Sequence, residues 1–131
     1  MNFSQRSKAN LATCHEDLQR LFCEVVVKYD CTILEGHRGE AEQNAAFDRG
    51  DSKLQWPDGK HNKAPSLAVD VAPYPIDWKD LKRFAHFAGY VQATADRLGI
   101  KIRWGGDWNG DRNLTNDRFL DMVHFELVGP K

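Results

Sequence analysis

Three residues of this chain, His61, Asp70 and His124, are of the types from which a catalytic metal centre is built. Such a zinc site takes about three protein ligands from His, Asp, Glu or Cys and leaves a fourth position for water. The metal lowers the pKa of that water and polarises a carbonyl, and a nearby carboxylate takes the released proton. Asp70 lies inside Leu67-Ala68-Val69-Asp70-Val71-Ala72, an otherwise apolar run. A carboxylate there is costly to bury unless it is paired or bound to a metal. Taken singly, each residue also has an ordinary explanation. Asp70 could sit on the wet face of a half-exposed strand or pair with an arginine, and a lone His in a strand is more often structural than a ligand.

The elements that must position these residues can be read from spacing. Met122, His124 and Glu126 share one face of a strand, and Val123, Phe125 and Leu127 share the other. The apolar face is core, so His124 and Glu126 point to a cleft or solvent. Asp121, three residues before His124, is placed to reach a water on a metal or to close a turn. Leu67 to Ala72 reads as a buried strand ended by Pro73 and Pro75, and residues 51–66 read as the polar loop that feeds it. Upstream, Thr13 and Glu16 form a capping box for a helix to about Lys28. Cys31 to Leu34 is a strand ending at Gly36, and Glu40 to Arg49 a helix closed by Gly50. Asp77 caps a further helix whose stripe is Leu81, Phe84, Phe87, Val91, Ala95 and Leu98, stopped by Gly99. Ile100 to Trp104 and Met122 to Val128 are the last strands. This predicts an α+β fold with helices gathered against one small, mainly antiparallel sheet.

The 131 residues fit one domain, 1–131, and 41% hydrophobic and 28% charged residues are ordinary for a globular chain. A net charge of −1 gives no general attraction to nucleic acid or anionic membrane. Cys14, Cys23 and Cys31, nine and eight residues apart, form neither a disulfide framework nor a zinc knuckle, which suggests a reducing cytoplasm. The polar start shows no signal peptide and no stretch reaches the length of a membrane span. Asp107, Asp111 and Asp117 match no EF-hand spacing. His86 reads as a surface residue, and Trp56, Trp104 and Trp108 lie in or beside loops, where they either grip a sugar or peptide or pack in the core.

Together these segments resemble the zinc peptidases of the D-alanyl-D-alanine carboxypeptidase and L-alanyl-D-glutamate endopeptidase family, which share a fold with the hedgehog signalling domain. The resemblance runs through Leu34-Glu35-Gly36-His37-Arg38 with Gln43, His61 to Tyr74, Arg103 to Trp108 and Asp121 to Leu127, so it covers nearly the whole chain. It is strongest to the short endolysins of bacteriophages. By that likeness His61, Asp70 and His124 are zinc ligands, Asp121 is the general base, and Arg38 steadies the oxyanion or substrate carbonyl. His37, Gln43 and Trp108 are expected to contact substrate. The family spaces the first His and the Asp by seven residues, whereas here the gap is nine, and Ser66 stands where Gly is usual. Asp121 replaces the Glu of the carboxypeptidases, which suits the endopeptidase branch. The resemblance therefore implies a zinc endopeptidase cutting the L-alanyl-D-glutamate bond of the peptidoglycan stem. The alternatives are a D-alanyl-D-alanine carboxypeptidase or dipeptidase, or a zinc-binding domain without catalysis. It further implies a monomer held in the host cytoplasm until a holin releases it to the periplasmic peptidoglycan, with no nucleic-acid partner.

Overall fold

The computed structural model describes residues 1–113 and 121–129. Four α-helices, α1 (Gln5–Leu11), α2 (Glu16–Lys28), α3 (Glu40–Asp48) and α4 (Leu81–Leu98), accompany four strands, β1 (Cys31–Glu35), β2 (Ala68–Pro73), β3 (Ile102–Trp104) and β4 (His124–Leu127). A 3-10 turn, Lys60–Asn62, interrupts the polar loop before β2. The strands form one antiparallel sheet in the order β1-β2-β4-β3. This is the α+β arrangement expected from the sequence.

Period-two alternation divides the sheet into two faces. Val69 and Val71 of β2 and Phe125 and Leu127 of β4 are buried with Phe22, Val25, Phe87 and Val91 of α2 and α4. Phe125 meets Phe22 edge-on, with ring centroids 5.5 Å apart. Asp70, His124 and Glu126 consequently emerge on the opposite face. The register makes Asp70 the direct cross-strand partner of His124 and brings Glu35 opposite Asp70 from the other side, after an irregularity between Ile33 and Glu35. Two strand pairings thus fix one corner of the site.

Several boundaries differ from the sequence reading. Helix α1 was not expected, because its sequence is polar apart from Ala9 and Leu11; Ser4 caps it by accepting from the Ser7 amide. The cap of α2 is His15, whose Nδ1 accepts from the Asp17 amide, rather than Thr13. Thr13 instead donates to the Asn10 carbonyl and accepts from the His37 amide. Asp80, not Asp77, caps α4, while Asp77 accepts from the Lys79 amide in the preceding turn. Leu81 then falls before the buried stripe and is 58% exposed. Pro73 is the last residue of β2 rather than its stop, and β4 begins at His124. No helix among the described residues is long and apolar enough to cross a membrane. Asp117 lies outside the described residues.

Candidate metal centre

The two histidines reach the centre on unlike elements. His61 rides on the 3-10 turn, which is stitched down by Asn62: its Oδ1 accepts from the Gly59 amide, and its Nδ2 donates to the Arg38 carbonyl. The His61 carbonyl in turn accepts from the Arg38 amide at 2.8 Å. His61 Nδ1 lies 2.7 Å from the Gly36 carbonyl, which can only accept, so the proton sits on Nδ1 and Nε2 faces the centre as a lone pair. His124 is arranged the other way round. Its Nε2 lies 2.8 Å from Glu126 Oε1, and this leaves Nδ1 facing inward.

The three inward atoms converge. His61 Nε2 stands 3.2 Å from Asp70 Oδ1 and 3.3 Å from His124 Nδ1, and His124 Nδ1 stands 3.4 Å from the same oxygen. Three acceptors this close repel unless a proton or a cation lies among them. Ligands on a tetrahedral zinc at about 2.0–2.1 Å stand about 3.3 Å apart, so the spacing fits that ion. Both outer imidazole nitrogens already have partners, as ligating histidines require.

The local field follows the same logic. Burial opposes the charge on Asp70, but His61 and His124 hold its carboxyl well below the usual carboxylate range. Burial also disfavours a charged His124, yet hydrogen bonds to Asp70 and Glu126 push it up to about 9. Asp121 moves in the other direction from Asp70: burial and the Asp70 charge raise its pKa. A carboxyl raised in this way takes up and gives back a proton more readily near neutral pH.

A model of the phage L-alanyl-D-glutamate peptidase family matches residues 1–128. The chain belongs to that family. It is 35% identical over 134 residues to the L-alanyl-D-glutamate peptidase of Escherichia phage T5, covering 96% of this chain and 97% of that one. The crystal structure of the Serratia marcescens L-Ala D-Glu endopeptidase ChiX superposes with a TM-score of 0.76 at 28% identity, covering 98% of this chain and 90% of that one. The chain is therefore a peptidase of the peptidoglycan-degrading kind.

Two cavities flank the centre of this peptidase, one of about 900 Å³ and one of about 460 Å³, and both are lined by Arg38 and Asp121. Arg38 is heavily engaged. Its Nη2 donates to Glu35 Oε1 at 2.6 Å and lies 3.5 Å from Asp70 Oδ2, while Nη1 donates to Gln43 Oε1 at 3.1 Å. The guanidinium thus braces the outer oxygen of Asp70; burial opposes its charge, and Glu35, Asp70 and Asp121 together outweigh that and raise its pKa.

The expected substrate contacts are placed differently from one another. Gln43 is 1% exposed, and its side chain is committed to Arg38, Asn62, Ser52 and Leu54. That makes it a hub joining Arg38 to the turn that carries His61. His37 is exposed and lines neither cavity. Trp108 lines the smaller cavity, its ring tilted against His124 with centroids 5.2 Å apart. His86 is exposed and pairs with the Tyr29 hydroxyl, away from the site.

Sequence reasoning missed Glu35, Gly36 and Lys60 as parts of the site. Lys60 Nζ lies 3.2 Å from Glu126 Oε2, so it steadies the carboxylate that holds His124. Only its position beside His61 could have pointed to it. Gly36 has a firmer signal in hindsight: a Cβ there would strike Thr13 Oγ1 and the Asn10 carbonyl. Only glycine lets the chain pass close enough for its carbonyl to meet His61.

Proposed function

We propose that this peptidase hydrolyses the L-alanyl-D-glutamate bond of the peptidoglycan stem peptide, with zinc held by His61, Asp70 and His124. The observation that carries the reading is the convergence of three ligand atoms at 3.2–3.4 Å beside a carboxyl of raised pKa. The choice of bond is supported by the family and by the names of both relatives. Bound zinc supplies Lewis acidity, bringing the pKa of a water toward neutrality and polarising the scissile carbonyl.

The chain's own residues do the rest. Asp121 takes the proton of the attacking water and passes it to the departing amine of D-glutamate. Arg38, fixed by Glu35 and Gln43 at the junction of the two cavities, supplies a permanent positive charge where negative charge develops on the carbonyl oxygen. Glu126 and the Gly36 carbonyl hold the imidazoles in their tautomers, and Trp108 keeps water from one side of His124. In this reading residues 1–131 are one monomeric catalytic domain. The protein accumulates in the host cytoplasm and meets the periplasmic wall after a holin opens the inner membrane.

Digestion of purified muropeptides, with mass spectrometry of the products, tests the bond. The expected result is loss of the stem peptide after L-alanine by the intact protein and not by Asp121→Ala, which still binds zinc. Release of terminal D-alanine would move the assignment to a carboxypeptidase. No cleavage despite bound zinc would leave a binding domain.

A further inference from the structure

The larger cavity holds a feature that the chemistry at the metal centre does not use. Trp78, in the turn before α4, is 60% exposed, and its ring lies nearly parallel to that of Phe84, with centroids 5.7 Å and planes 19° apart. Phe84 is 2% exposed and anchored in α4. The indole is therefore held as a rigid platform with much of its surface in water, an arrangement suited to a ligand with an apolar face. The cavity it lines also reaches Arg38 and Asp121. Ala41, Ala45 and Ala46 of α3 line the same cavity, and such small side chains leave it wide enough for a ring.

The two cavities also differ in charge. Beyond the residues they share, the larger carries three carboxylates, Glu35, Glu42 and Asp70, against one cation, Arg49, which is paired with Asp51 at 3.0 Å. The smaller carries three cations, Lys53, Lys60 and Arg103, against two carboxylates, Asp58 and Glu126, with Lys60 and Arg103 sharing Glu126 Oε2 at 3.2 and 3.8 Å, so its balance is the more positive of the two. The two sides of the scissile bond differ in the same sense. Beyond D-glutamate the stem peptide carries several carboxylates. Before L-alanine comes an uncharged N-acetylmuramyl sugar, joined through its lactyl group. One alanine and one lactyl unit span about 7 Å at about 3.5 Å per extended unit, so the sugar lies in one of the two cavities that Asp121 lines, and the charge balance assigns the uncharged sugar to the larger and the carboxylates to the smaller.

We propose that Trp78 is the platform for the N-acetylmuramyl sugar, so that the glycan strand lies along the larger cavity and the stem peptide along the smaller one. The proposal rests on the bond assignment above. An anionic membrane surface would be the rival occupant, since Tyr74 and Leu81 are exposed and Lys79 and Lys82 lie nearby. Against that, both terminal nitrogens of Arg83 are spent on the Pro75 and Tyr74 carbonyls at 2.6 Å, and the indole lines the larger cavity together with Arg38 and Asp121.

The test compares two substrates that share one stem peptide, the disaccharide-peptide and the free peptide, on the metal-loaded protein. Trp78→Ala should lower the ratio of kcat/KM, disaccharide-peptide over free peptide, by about tenfold and mainly through KM, while Trp78→Phe keeps most of it. An unchanged ratio overturns the proposal. So does an equal loss on both substrates, which marks a structural role. An unchanged ratio accompanied by lost binding to phosphatidylglycerol vesicles assigns the patch to a membrane. A titration of the wild type with the peptide-free disaccharide, followed by NMR, should shift one indole signal that is absent from Trp78→Ala; no shift overturns the platform. That readout stands whichever bond is cut, and the products of the free peptide report separately on the bond.

Discussion

His61 and His124 each present one nitrogen to the same centre, Nε2 from the first and Nδ1 from the second, but the regions behind them are built on different principles. Behind His124 stands a strand pair: Asp70 is its cross-strand partner, and Glu126, two residues on, returns a carboxylate to its outer nitrogen. Behind His61 stands a short turn in a polar loop, tied to the chain by Asn62, Gln43 and the backbone of Gly36 and Arg38. One region uses charge and the regular geometry of a sheet. The other uses neutral hydrogen bonds and a close backbone approach. Charge makes the first region sensitive to pH, while the second depends on packing that tolerates little added volume.

Removing a ligand from either region should have the largest effect and abolish the difference between them. His124→Ala and His61→Ala are each expected to lose bound zinc and all measurable cleavage, read by metal analysis and muropeptide digestion. If either variant keeps full activity, the shared centre is wrong. Next in size is Asp121→Asn, which touches neither anchor. It should bind zinc as the parent does and lose about 10²–10⁴ in kcat, the usual contribution of general acid–base catalysis. A change in zinc affinity as large as the change in kcat would make Asp121 a ligand rather than a base.

The sequence revealed these regions unequally, for physical reasons. Strand periodicity placed His124 and Glu126 on one face, and an acid in an apolar run marked Asp70, because both signals are local. The likeness to known peptidases supplied the roles, and the antiparallel sheet followed from the spacing of apolar runs. Illegible were the partners that meet only in three dimensions. Glu35 comes opposite Asp70 through a strand pairing, and Gln43 anchors Arg38 from inside a helix. The Gly36 carbonyl reaches His61 across 25 residues. Helix α1 was missed because tertiary contact, not an apolar stripe, holds it: Ser7 accepts from the Ile33 amide, and Asn10 donates to the Ile33 carbonyl.

The two anchors can be tested against each other. Glu126→Gln keeps the shape but removes the charge behind His124, and should weaken zinc binding by about 10–100-fold with little loss of thermal stability. Gly36→Ala acts in the opposite sense. Its Cβ would meet Thr13, Asn10 and Cys14, so it should cost about 1–3 kcal/mol of stability by overpacking, with zinc affinity falling only as the turn shifts. Competition with a chelator and thermal melts separate the two outcomes. Equal effects on both readouts from both variants would dissolve the distinction.

The smallest effect concerns pH and belongs to the charged region alone. In the metal-free protein His124 is raised from 6.5 to about 9, because the carboxylates of Asp70 and Glu126 outweigh its burial. A raised pKa means the folded state holds the proton more tightly than the unfolded one. Its contribution is fully present below about pH 6.5 and is lost as the pH rises through about 9. Asp70 is lowered instead, so its contribution is present above about pH 4 and fades as the pH falls below that. From Asp70 and His124 the metal-free protein should melt highest between about pH 4.5 and 6.5, and Asp121, whose pKa is also raised, adds to the decline of the melting temperature as the pH rises toward 9. With zinc in the proposed site the upper slope should reverse. The His124 proton must leave before the metal binds, so zinc affinity should rise over the same interval. Glu126→Gln removes one of the two carboxylates that hold this proton, so the decline should begin at lower pH in that variant. In Gly36→Ala the whole melting curve should move down with its pH dependence unchanged. If Glu126→Gln left the pH at which the decline begins where it was, the carboxylate would be only a positional anchor for His124, like the Gly36 carbonyl behind His61.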